Sequence, residues 1–229
     1  MPHAADNRTL KHGCIVMASG VGARFGGNKL MAELCDAPLV GHVVRATDGL
    51  FSRRVVVTCH ADVALLCETL GAQVILHDEP CRNDTVRLGM EAMDGCDTVT
   101  FVQGDQPLIR PASIIALLRA AECDAAGAAR RDAAGRGVAD VVGCDAGRYI
   151  WRTSFDGAPG APVLFPSWAF GELRSLSRGK GGGFVAKMHA EYVRTIEVSS
   201  EWELFDVDTR DDLRQLQTHI ARCGFGSGR

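Results

Sequence analysis

A short apolar segment followed by a glycine-rich loop near the N-terminus constrains this chain more than any other feature. Cys14 to Ala18 can be buried as a strand, and the following segment, 19–29, contains four glycines, two cations and no carboxylate. Glycines allow positive φ angles and let main-chain N–H groups approach a ligand closely, while Arg24 and Lys29 add full positive charges. A strand that opens into such a loop is typical of a polyanion site, with a nucleotide triphosphate as the obvious ligand.

Two well-known phosphate loops do not fit this segment. The P-loop pattern G-x-x-x-x-G-K-[ST] finds two glycines at the right spacing, but Asn28 replaces the lysine and neither Ser nor Thr follows Lys29. The dinucleotide pattern G-x-G-x-x-G begins at Gly20 and Gly22, but Phe25 stands where the third glycine must let helix and strand pack closely. A different kind of phosphate loop is therefore required.

The strand and loop resemble the signature of the nucleotidyltransferase superfamily, L-[AS]-[AG]-G-x-G-x-R-[FM]-G-x-x-K. The matching residues are Ala18, Ser19, Gly20, Gly22, Arg24, Phe25, Gly26 and Lys29. This resemblance implies nucleotide binding by Ala18, Ser19, Gly20, Gly22, Arg24 and Lys29. It also implies that the two cations are catalytic.

The composition of the whole chain excludes several classes of function. With 229 residues, 46% of them apolar and 23% charged, the chain has the composition of one ordinary soluble globular domain. The net charge of −3 gives no general attraction for nucleic acid or an anionic membrane, so we expect neither as a partner. The polar start, 1–12, does not resemble a signal peptide and no apolar run would span a bilayer, so we expect a cytoplasmic protein.

Strands and helices alternate through the first half of the chain. The predicted strands are 14–18, 54–59, 72–77 and 97–103, and the predicted helices are 38–49, 61–70, 85–93 and 111–121. This alternation predicts a three-layer α/β/α fold in which helices cover both faces of a mostly parallel sheet. Ligands of such sheets bind at the carboxyl ends of the strands, where the loops 19–29 and 104–107 both lie.

The second half of the chain is less regular. Residues 125–162 are rich in Gly, Ala and Arg, and they predict either an irregular excursion that covers the second substrate or a floppy insertion. Short strand-like pieces occur in it at 138–142 and 149–152. The elements predicted after it are a strand at 163–165, a helix at 167–176, a basic glycine-rich turn at 177–183, a strand at 192–198 and a helix at 209–222.

The expected organisation is a single nucleotidyltransferase domain, 1–229. Its nucleotide-binding half is 12–123, its acceptor-binding half is 124–222, and 223–229 is a flexible tail. Together with the resemblance of the loop, this predicts a Rossmann-like nucleotidyltransferase fold with an irregular insertion.

A second site element follows the fourth predicted strand. The segment Gly104-Asp-Gln-Pro lies at the same sheet edge as the glycine-rich loop, which places Gly104 against the nucleotide and Asp105 beside the triphosphate. A carboxylate next to phosphates is repelled unless a cation lies between them. The placement therefore implies Mg²⁺, which binds one or two carboxylates together with phosphate oxygens, and we predict Asp105 as a metal ligand and catalytic residue.

An acidic cluster precedes the last predicted helix. Thr209 and Asp212 form a capping-box-like start for that helix. The cluster also resembles D-[IV]-D-T-x-x-D-L of the nucleotidyltransferase superfamily, which implies a second metal ligand here. Asp206 and Asp208 share one face of an extended segment, so both could point at the metal. We favour Asp208 and leave Asp206 open.

A third segment, Arg82 to Met90, resembles the pattern R-x-D-[ST]-V-x-x-G-[LM] that contacts the pyrimidine in cytidylyltransferases. It too lies between a predicted strand and a predicted helix. The resemblance implies that Asp84 and Thr85 contact the base and that backbone groups of 18–20 read the rest of the base edge.

Taken together, five segments resemble the molybdenum cofactor cytidylyltransferase family, a relative of the molybdenum cofactor guanylyltransferases. They are 18–29, 104–107, 161–165, 179–181 and 206–209. The resemblance implies CTP as substrate, Mg²⁺ as cofactor, molybdopterin as the phosphorylated acceptor, and a molybdoenzyme as a partner that receives the product. The chain departs from the family at Gly160-Ala-Pro and at Arg178-Gly-Lys-Gly, so the identity of the acceptor stays open.

The predicted reaction is nucleotidyl transfer without a protein nucleophile, in which an acceptor phosphate attacks the α-phosphorus of CTP and pyrophosphate leaves. Guanylyl transfer is less favoured, because such relatives usually carry Gly-Gly and an Asp where this chain has Ser19-Gly20 and Asn28, and because Gln106 favours CTP. Transfer to another phosphorylated acceptor also stays open. The alternative from another class is a non-catalytic accessory protein that binds nucleotide or pterin during molybdoenzyme maturation.

Overall fold

The computed structural model describes residues 9–78, 82–133 and 147–223, without the side chains of 128–133. Its strands are β1 (His12–Met17), β2 (Glu33–Leu34), β3 (Ala37–Pro38), β4 (Arg53–Thr58), β5 (Gln73–Leu76), β6 (Thr98–Gln103), β7 (Ile150–Phe155), β8 (Ala158–Pro166) and β9 (Val193–Glu197). Its α-helices are α1 (Leu39–Ala46), α2 (Ala61–Thr69), α3 (Arg82–Glu91), α4 (Pro111–Ala133), α5 (Phe170–Arg174), α6 (Gly182–Met188) and α7 (Arg210–Cys223).

One seven-stranded sheet organises these elements, in the order β5-β4-β1-β6-β8-β7-β9. β5, β4, β1 and β6 run parallel, with Ile15 of β1 beside Val55 on one side and Phe101 on the other. β8 is antiparallel to both of its neighbours, and β7 pairs in parallel with β9. The prediction of a mostly parallel sheet is therefore confirmed, with β8 as its reversed strand.

Helices cover both faces of the sheet because β1 is apolar on both of its sides. Cys14 and Val16 pack in one core with Val43 of α1 and Ile114 of α4. Ile15 points to the other face, where α3, α5 and α6 contribute to a second core. A continuous apolar run is what a strand buried on both faces requires, and it confirms the predicted three-layer α/β/α class.

A third and smaller core fastens the glycine-rich loop to the last helix. Phe25, at the tip of the loop, is only 5% exposed and packs with Leu39, Val207, Leu216 and Ile220. Burying an aromatic side chain stabilises the folded state by a few kcal/mol. The loop is therefore held against the body of the domain although it has no regular secondary structure of its own.

The middle of the chain differs from the irregular excursion predicted over 125–162. α4 continues to Ala133, and β7 and β8 form a hairpin inside the central sheet. The hairpin turns at Asp156 and Gly157, whose φ angles of 47° and 74° are both positive, as in a type I′ turn. The strand-like piece predicted at 149–152 and the strand predicted at 163–165 overlap β7 and β8. β8 begins earlier than predicted, at Ala158, and runs through prolines and a glycine, which are disfavoured within sheets. The predicted strand-like piece at 138–142 lies outside the described residues.

Smaller differences concern where elements begin. α3 starts at Arg82 instead of Thr85, so the predicted turn before it is partly helical. The predicted capping box of the last helix is confirmed, because Asp212 N donates to Thr209 Oγ1 at 3.1 Å and Thr209 N donates to Asp212 Oδ2 at 2.7 Å. Among the helices of the described residues, none is long and apolar enough to cross a bilayer.

Candidate active site

The carboxyl ends of β1 and β6 bring two predicted site elements together. These strands are neighbours in the sheet, and Met17 is paired with Gln103 where they end. The N–H of Gly104 then donates to the Met17 carbonyl at 3.0 Å, which places Asp105 beside the start of the glycine-rich loop. Parallel strand order thus joins two segments that are far apart in the sequence.

A cavity of about 360 Å³ opens at this edge of the sheet. Among the residues predicted to bind nucleotide or metal, those that line it are Ser19, Gly20, Gly22, Arg24, Lys29, Thr85, Asp105 and Asp208. Its other lining residues are Met17, Val21, Ala23, Leu30, Arg82 and Gln103. A cleft of this volume is of the size that takes small molecules.

Lys29 lies at the centre of a charged cluster in this cavity. Its Nζ donates to Asp105 Oδ2 at 2.6 Å and to Asp208 Oδ1 at 2.8 Å, and its side chain is 7% exposed. Arg24 Nη2 donates to Asp208 Oδ2 at 2.6 Å, but the Arg24 side chain is 72% exposed. The two cations predicted to meet the triphosphate are therefore paired with the two carboxylates predicted to bind the metal.

This pairing favours the charged forms of its members. Burial by itself would lower the pKa of Lys29, but the charges and hydrogen bonds of Asp105 and Asp208 outweigh it and raise that pKa. The hydrogen bond from Lys29, followed by the charges of Lys29 and Arg24, lowers the pKa of Asp208 despite partial burial. Lys29 is thus protonated and Asp208 ionised at neutral pH.

Asp206, the alternative metal ligand, has different surroundings. Val207 N donates to the Asp105 carbonyl at 3.0 Å, which holds the segment 206–208 against the turn after β6. Asp206 lies at the surface and is not among the residues that line the cavity. Nearby protein atoms nevertheless limit its hydration and, with the negative charges of Asp105 and Asp208, raise its pKa to about 6.

The glycine-rich loop takes its shape from a turn at Gly22. The Gly22 carbonyl accepts hydrogen bonds from the N–H groups of Phe25 at 2.9 Å and Gly26 at 3.1 Å. The φ angle of Gly22 is +59°, and a Cβ on Gly22 would lie 2.2 Å from the Gly27 carbonyl oxygen. Only glycine is therefore compatible with this turn, which carries Phe25 into the core beneath the loop.

The carboxylates of this cavity suit a magnesium ion. Asp105 Oδ1 is buried and has no hydrogen-bond partner among the described residues, whereas Oδ2 accepts from Lys29. A buried acceptor without a partner costs free energy of folding, so this oxygen is a suitable ligand for a bound cation. In the part of the chain that the structure describes, no three His, Cys, Asp or Glu side chains converge as a metal site. Asp105 and Asp208 would therefore need phosphate oxygens to complete the coordination, as Mg²⁺ sites commonly do.

Three of the predicted binding residues stand outside the cavity lining. Ala18 is buried, and both its N–H and its carbonyl bond to residues at the end of β4. Asp84 accepts a hydrogen bond from Asn83 Nδ2 at 3.1 Å, and the N–H of Gly104 is engaged with Met17. Contact of these three residues with a nucleotide stays a prediction.

Arg82 and Gln103 line the cavity although neither was selected from the sequence. The signal for Arg82 was present, since it begins the pyrimidine-contact pattern and is the first residue of α3. Its side chain also packs against the basic glycine-rich turn, where a Cβ on Gly181 would lie 3.0 Å from Arg82 Cδ. By contrast, Gln106 is buried and its Nε2 donates to the Leu204 carbonyl at 3.1 Å, so it contacts the protein instead of lining the cavity.

Several curated cytidylyltransferases match about half of this chain. A 3-deoxy-manno-octulosonate cytidylyltransferase from Syntrophobacter fumaroxidans is 32% identical over 116 residues, which cover 48% of this chain and 46% of that protein. The chain spans about half the length of the curated cytidylyltransferases that it matches.

Solved structures share the whole fold. A Mycobacterium sp. strain JC1 homologue of Mycobacterium tuberculosis Rv0371c superimposes with a TM-score of 0.73 at 23% identity, covering 93% of this chain and 98% of its own. The molybdopterin-guanine dinucleotide biosynthesis protein A of Archaeoglobus fulgidus gives a TM-score of 0.62 at 18% identity, covering 92% of this chain and 99% of its own.

Residues 14–194, which contain the glycine-rich loop and Asp105, match the model of the MobA-like NTP transferase domain. The chain therefore belongs to the MobA-like NTP transferase domain family.

Proposed function

We propose that this protein transfers CMP from CTP to a phosphorylated acceptor and releases pyrophosphate. The observation that carries the proposal is the buried Lys29 between Asp105 and Asp208, in a cavity that the glycine-rich loop also lines. This arrangement offers cations to a triphosphate and carboxylates to a divalent ion in one place. The name of the cytidylyltransferase from S. fumaroxidans supports CTP as the nucleotide.

In the proposed reaction, a phosphate oxygen of the acceptor attacks the α-phosphorus of CTP, the bond from that phosphorus to the bridging oxygen breaks, and pyrophosphate leaves. Arg24 and Lys29 bind the triphosphate and offset the negative charge that develops on it. The loop residues 19–22 border the phosphates, and Thr85 offers its hydroxyl to the base. No side chain acts as a nucleophile, so catalysis consists of positioning and charge.

Lys29 is the residue whose charge contributes most in this proposal. A pair of unit charges 4 Å apart at an effective dielectric constant near 20 is worth roughly 4 kcal/mol. Each 1.36 kcal/mol removed from a barrier gives about a tenfold faster rate, so one buried lysine changes the rate by orders of magnitude. Asp105 and Asp208 would hold Mg²⁺, which when bound neutralises phosphate oxygens and polarises the reacting phosphate.

Molybdopterin is the acceptor that we favour, because the resemblance to molybdenum cofactor cytidylyltransferases extends over five segments of the sequence. In this proposal the half 12–123 holds the nucleotide, the half 124–222 receives the acceptor, and a molybdoenzyme takes up the product. The sugar acid named for the S. fumaroxidans relative is the competing acceptor. GTP is the second candidate nucleotide, since the A. fulgidus protein of the same fold is named for a guanine dinucleotide.

One assay separates these candidates. The purified protein is mixed with Mg²⁺, each of the four nucleoside triphosphates in turn, and either molybdopterin or 3-deoxy-manno-octulosonate, and pyrophosphate release is followed together with the mass of the product. We expect release only with CTP and molybdopterin, and we expect the Asp105→Asn variant to be inactive while it stays folded. Release only with GTP would overturn the base assignment.

The same assay tests the accessory-protein alternative. A protein that only binds and delivers a cofactor would gain RT ln(1 + [L]/Kd) in free energy of unfolding with a nucleotide, and so melt at a higher temperature, without releasing pyrophosphate. Stabilisation by CTP without turnover on either molybdopterin or 3-deoxy-manno-octulosonate would therefore favour binding over catalysis.

A further inference from the structure

The first part of the glycine-rich loop is held by the last residue of β4 and the two residues after it. Three consecutive carbonyl oxygens of the loop accept hydrogen bonds from three consecutive side chains. The pairs are Thr58 Oγ1 to Ala18 O at 2.8 Å, Cys59 Sγ to Ser19 O at 3.5 Å, and His60 Nε2 to Gly20 O at 3.0 Å. A carbonyl can only accept, so His60 Nε2 carries the proton in this contact.

These contacts fix the direction of the amides as well as of the carbonyls. A trans peptide is planar, so the N–H of a residue points opposite to the carbonyl of the residue before it. Holding three carbonyls toward the end of β4 therefore turns the N–H groups of Ser19, Gly20 and Val21 to the opposite side. All three of these residues line the cavity.

A second anchor holds the far end of the loop. Asn28 Nδ2 donates to both carboxylate oxygens of Asp62, at 3.0 Å each, and Asn28 Oδ1 accepts from Leu30 N at 3.2 Å. The latter bond caps the short 3₁₀ turn that begins at Lys29. Asp62, in the first turn of α2, therefore helps to fix the backbone from which Lys29 extends.

We propose that Thr58, Cys59, His60 and Asp62 form a loop clamp that positions residues 18–29 to receive the triphosphate. This inference rests on the proposed function of the cavity as a triphosphate site. Amides that are aimed before the ligand arrives cost no reorganisation on binding, whereas an unanchored glycine-rich loop would have to be ordered each time. Burial raises the pKa of the Cys59 thiol, which keeps it protonated as a donor.

Pairs of variants test the clamp, each pair consisting of one that removes a donor and one that retains it. Thr58→Val removes the hydroxyl while keeping the shape, and Thr58→Ser retains it. His60→Met removes the ring N–H, and His60→Gln places an amide N–H within similar reach. Dissociation constants are measured by calorimetry for three probes: CTP, inorganic tripolyphosphate and cytidine.

We expect Thr58→Val and His60→Met to bind CTP and tripolyphosphate about tenfold or more weakly, because they lose aimed amides. Thr58→Ser and His60→Gln are expected to stay near the wild-type values for all three probes. In Thr58→Val and His60→Met, the affinity for cytidine is expected to fall less than the affinity for tripolyphosphate. If these residues only stabilised the fold, their loss would weaken the binding of tripolyphosphate and cytidine to the same extent. Thr58 is fully buried, so if its valine variant fails to fold for reasons of packing, the test uses the variants of His60, which is only half-buried. Folded His60→Met with wild-type affinity for tripolyphosphate would overturn the clamp.

Asp62 gives an independent readout, since it acts on the Lys29 end of the loop. Asp62→Ala is expected to lower kcat more than it raises KM for CTP, because it loosens the backbone that carries Lys29. Glu68→Ala is the matched control, since it removes the same charge from an exposed position of the same helix. Equal kinetics for Asp62→Ala and wild type would remove Asp62 from the clamp.

The design also separates failure of the clamp from failure of the proposed function. Tripolyphosphate carries no base, so its binding tests the loop whichever nucleotide is the substrate. If GTP replaces CTP while the donor-removing variants lose tripolyphosphate, the base assignment fails and the clamp stands. If the wild-type protein binds neither tripolyphosphate nor any triphosphate, the proposed function and the clamp fail together.

Discussion

The Nζ atom of Lys29 lies 2.6 Å from Asp105 Oδ2, although the two residues are 76 positions apart in the sequence. The same atom bonds to Asp208 Oδ1 at 2.8 Å. The lysine thus bonds to one oxygen of each of the two carboxylates that would hold a divalent ion. A triphosphate gives Lys29 another partner and frees those oxygens, so metal and nucleotide are expected to bind cooperatively, each raising the affinity for the other.

Replacing Lys29 by methionine is expected to have opposite effects on two measurements. Turnover should fall by at least about 100-fold, because a charge aimed at the reacting phosphates is lost. The affinity for Mn²⁺ without nucleotide should rise by about tenfold, because the ammonium group no longer competes for the carboxylates. Free Mn²⁺ is measured by electron paramagnetic resonance, and turnover is measured by pyrophosphate release.

The control for this variant is Lys187→Met, which removes the same charge from an exposed position on α6. It is expected to match the wild type in both measurements. If Lys29→Met folds and yet binds Mn²⁺ no more tightly than the wild type, then Lys29 does not compete with the metal.

Alanine substitutions at two glycines of the loop are expected to differ sharply. Gly22→Ala forces a side chain into positive φ and to within 2.2 Å of a backbone oxygen, which should cost about 1–3 kcal/mol of stability and abolish CTP binding. Gly20→Ala meets only Lys29 Cε at 3.8 Å, so it should fold like the wild type. Thermal unfolding and CTP titration check both variants, and equal stability of the two would show that the turn at Gly22 can change shape.

Features set by local sequence were the ones that could be predicted. The apolar run of β1, the glycines and cations after it, and the capping box at Thr209 each depend on residues close together in the chain. The parallel order followed from strict alternation of strands and helices, and that order alone placed Asp105 beside the loop. The strand pieces predicted at 149–152 and 163–165 overlap β7 and β8. Their pairing as a hairpin was not predicted, although Asp156-Gly157 is a hairpin signal.

The ion pairs inside the site could not be predicted, because they depend on distances in the folded protein, which the spacing of residues along the sequence does not determine. Lys29 and Asp208 are 179 positions apart, and the sequence indicated only that both belonged near phosphates. The contacts of Ala18 with the end of β4, which keep that residue out of the cavity lining, likewise depend on where the loop bends after β1. Sequence patterns thus selected candidate residues, whereas packing determined which of them lie together.

The stability of the protein is expected to fall below about pH 6.5, in part through His12. This ring is buried, and its Nδ1 lies 2.7 Å from Thr98 Oγ1. Burial lowers the pKa of His12 below its usual value, even though the charges of Glu122 and Asp97 act to raise it. Between the lowered and the usual pKa, the unfolded chain binds a proton that the folded protein does not, so stability increases with pH in that window.

The test compares the wild type with His12→Asn, whose amide can still bond to Thr98. Denaturant unfolding at pH 5 and pH 7.5 gives the loss of stability on acidification for each protein. We expect a smaller loss in the variant, whatever its absolute stability. An equal loss in both proteins would assign the pH dependence to other groups.

Asparagine substitutions at the two candidate metal ligands are expected to separate them. Asp208 lines the cavity and shares Lys29 with Asp105, whereas Asp206 lies at the surface outside that lining. With CTP present, Asp208→Asn should weaken Mn²⁺ binding by about tenfold or more, since the metal loses an ionised ligand. Asp206→Asn should change it by only about twofold, because Asp206 lies outside the cavity lining and its charge acts on the metal from a distance.

Both variants keep the size of the side chain, so the segment around Val207 stays packed and the comparison reports on charge and ligation. Asp206 has a pKa of about 6 and is mainly ionised at pH 7.5, so each substitution removes one negative charge at that pH. A difference between the two variants therefore arises from position. If Asp206→Asn were the variant that loses Mn²⁺, the segment 206–208 would have to turn on nucleotide binding so that Asp206 replaces Asp208 beside Asp105.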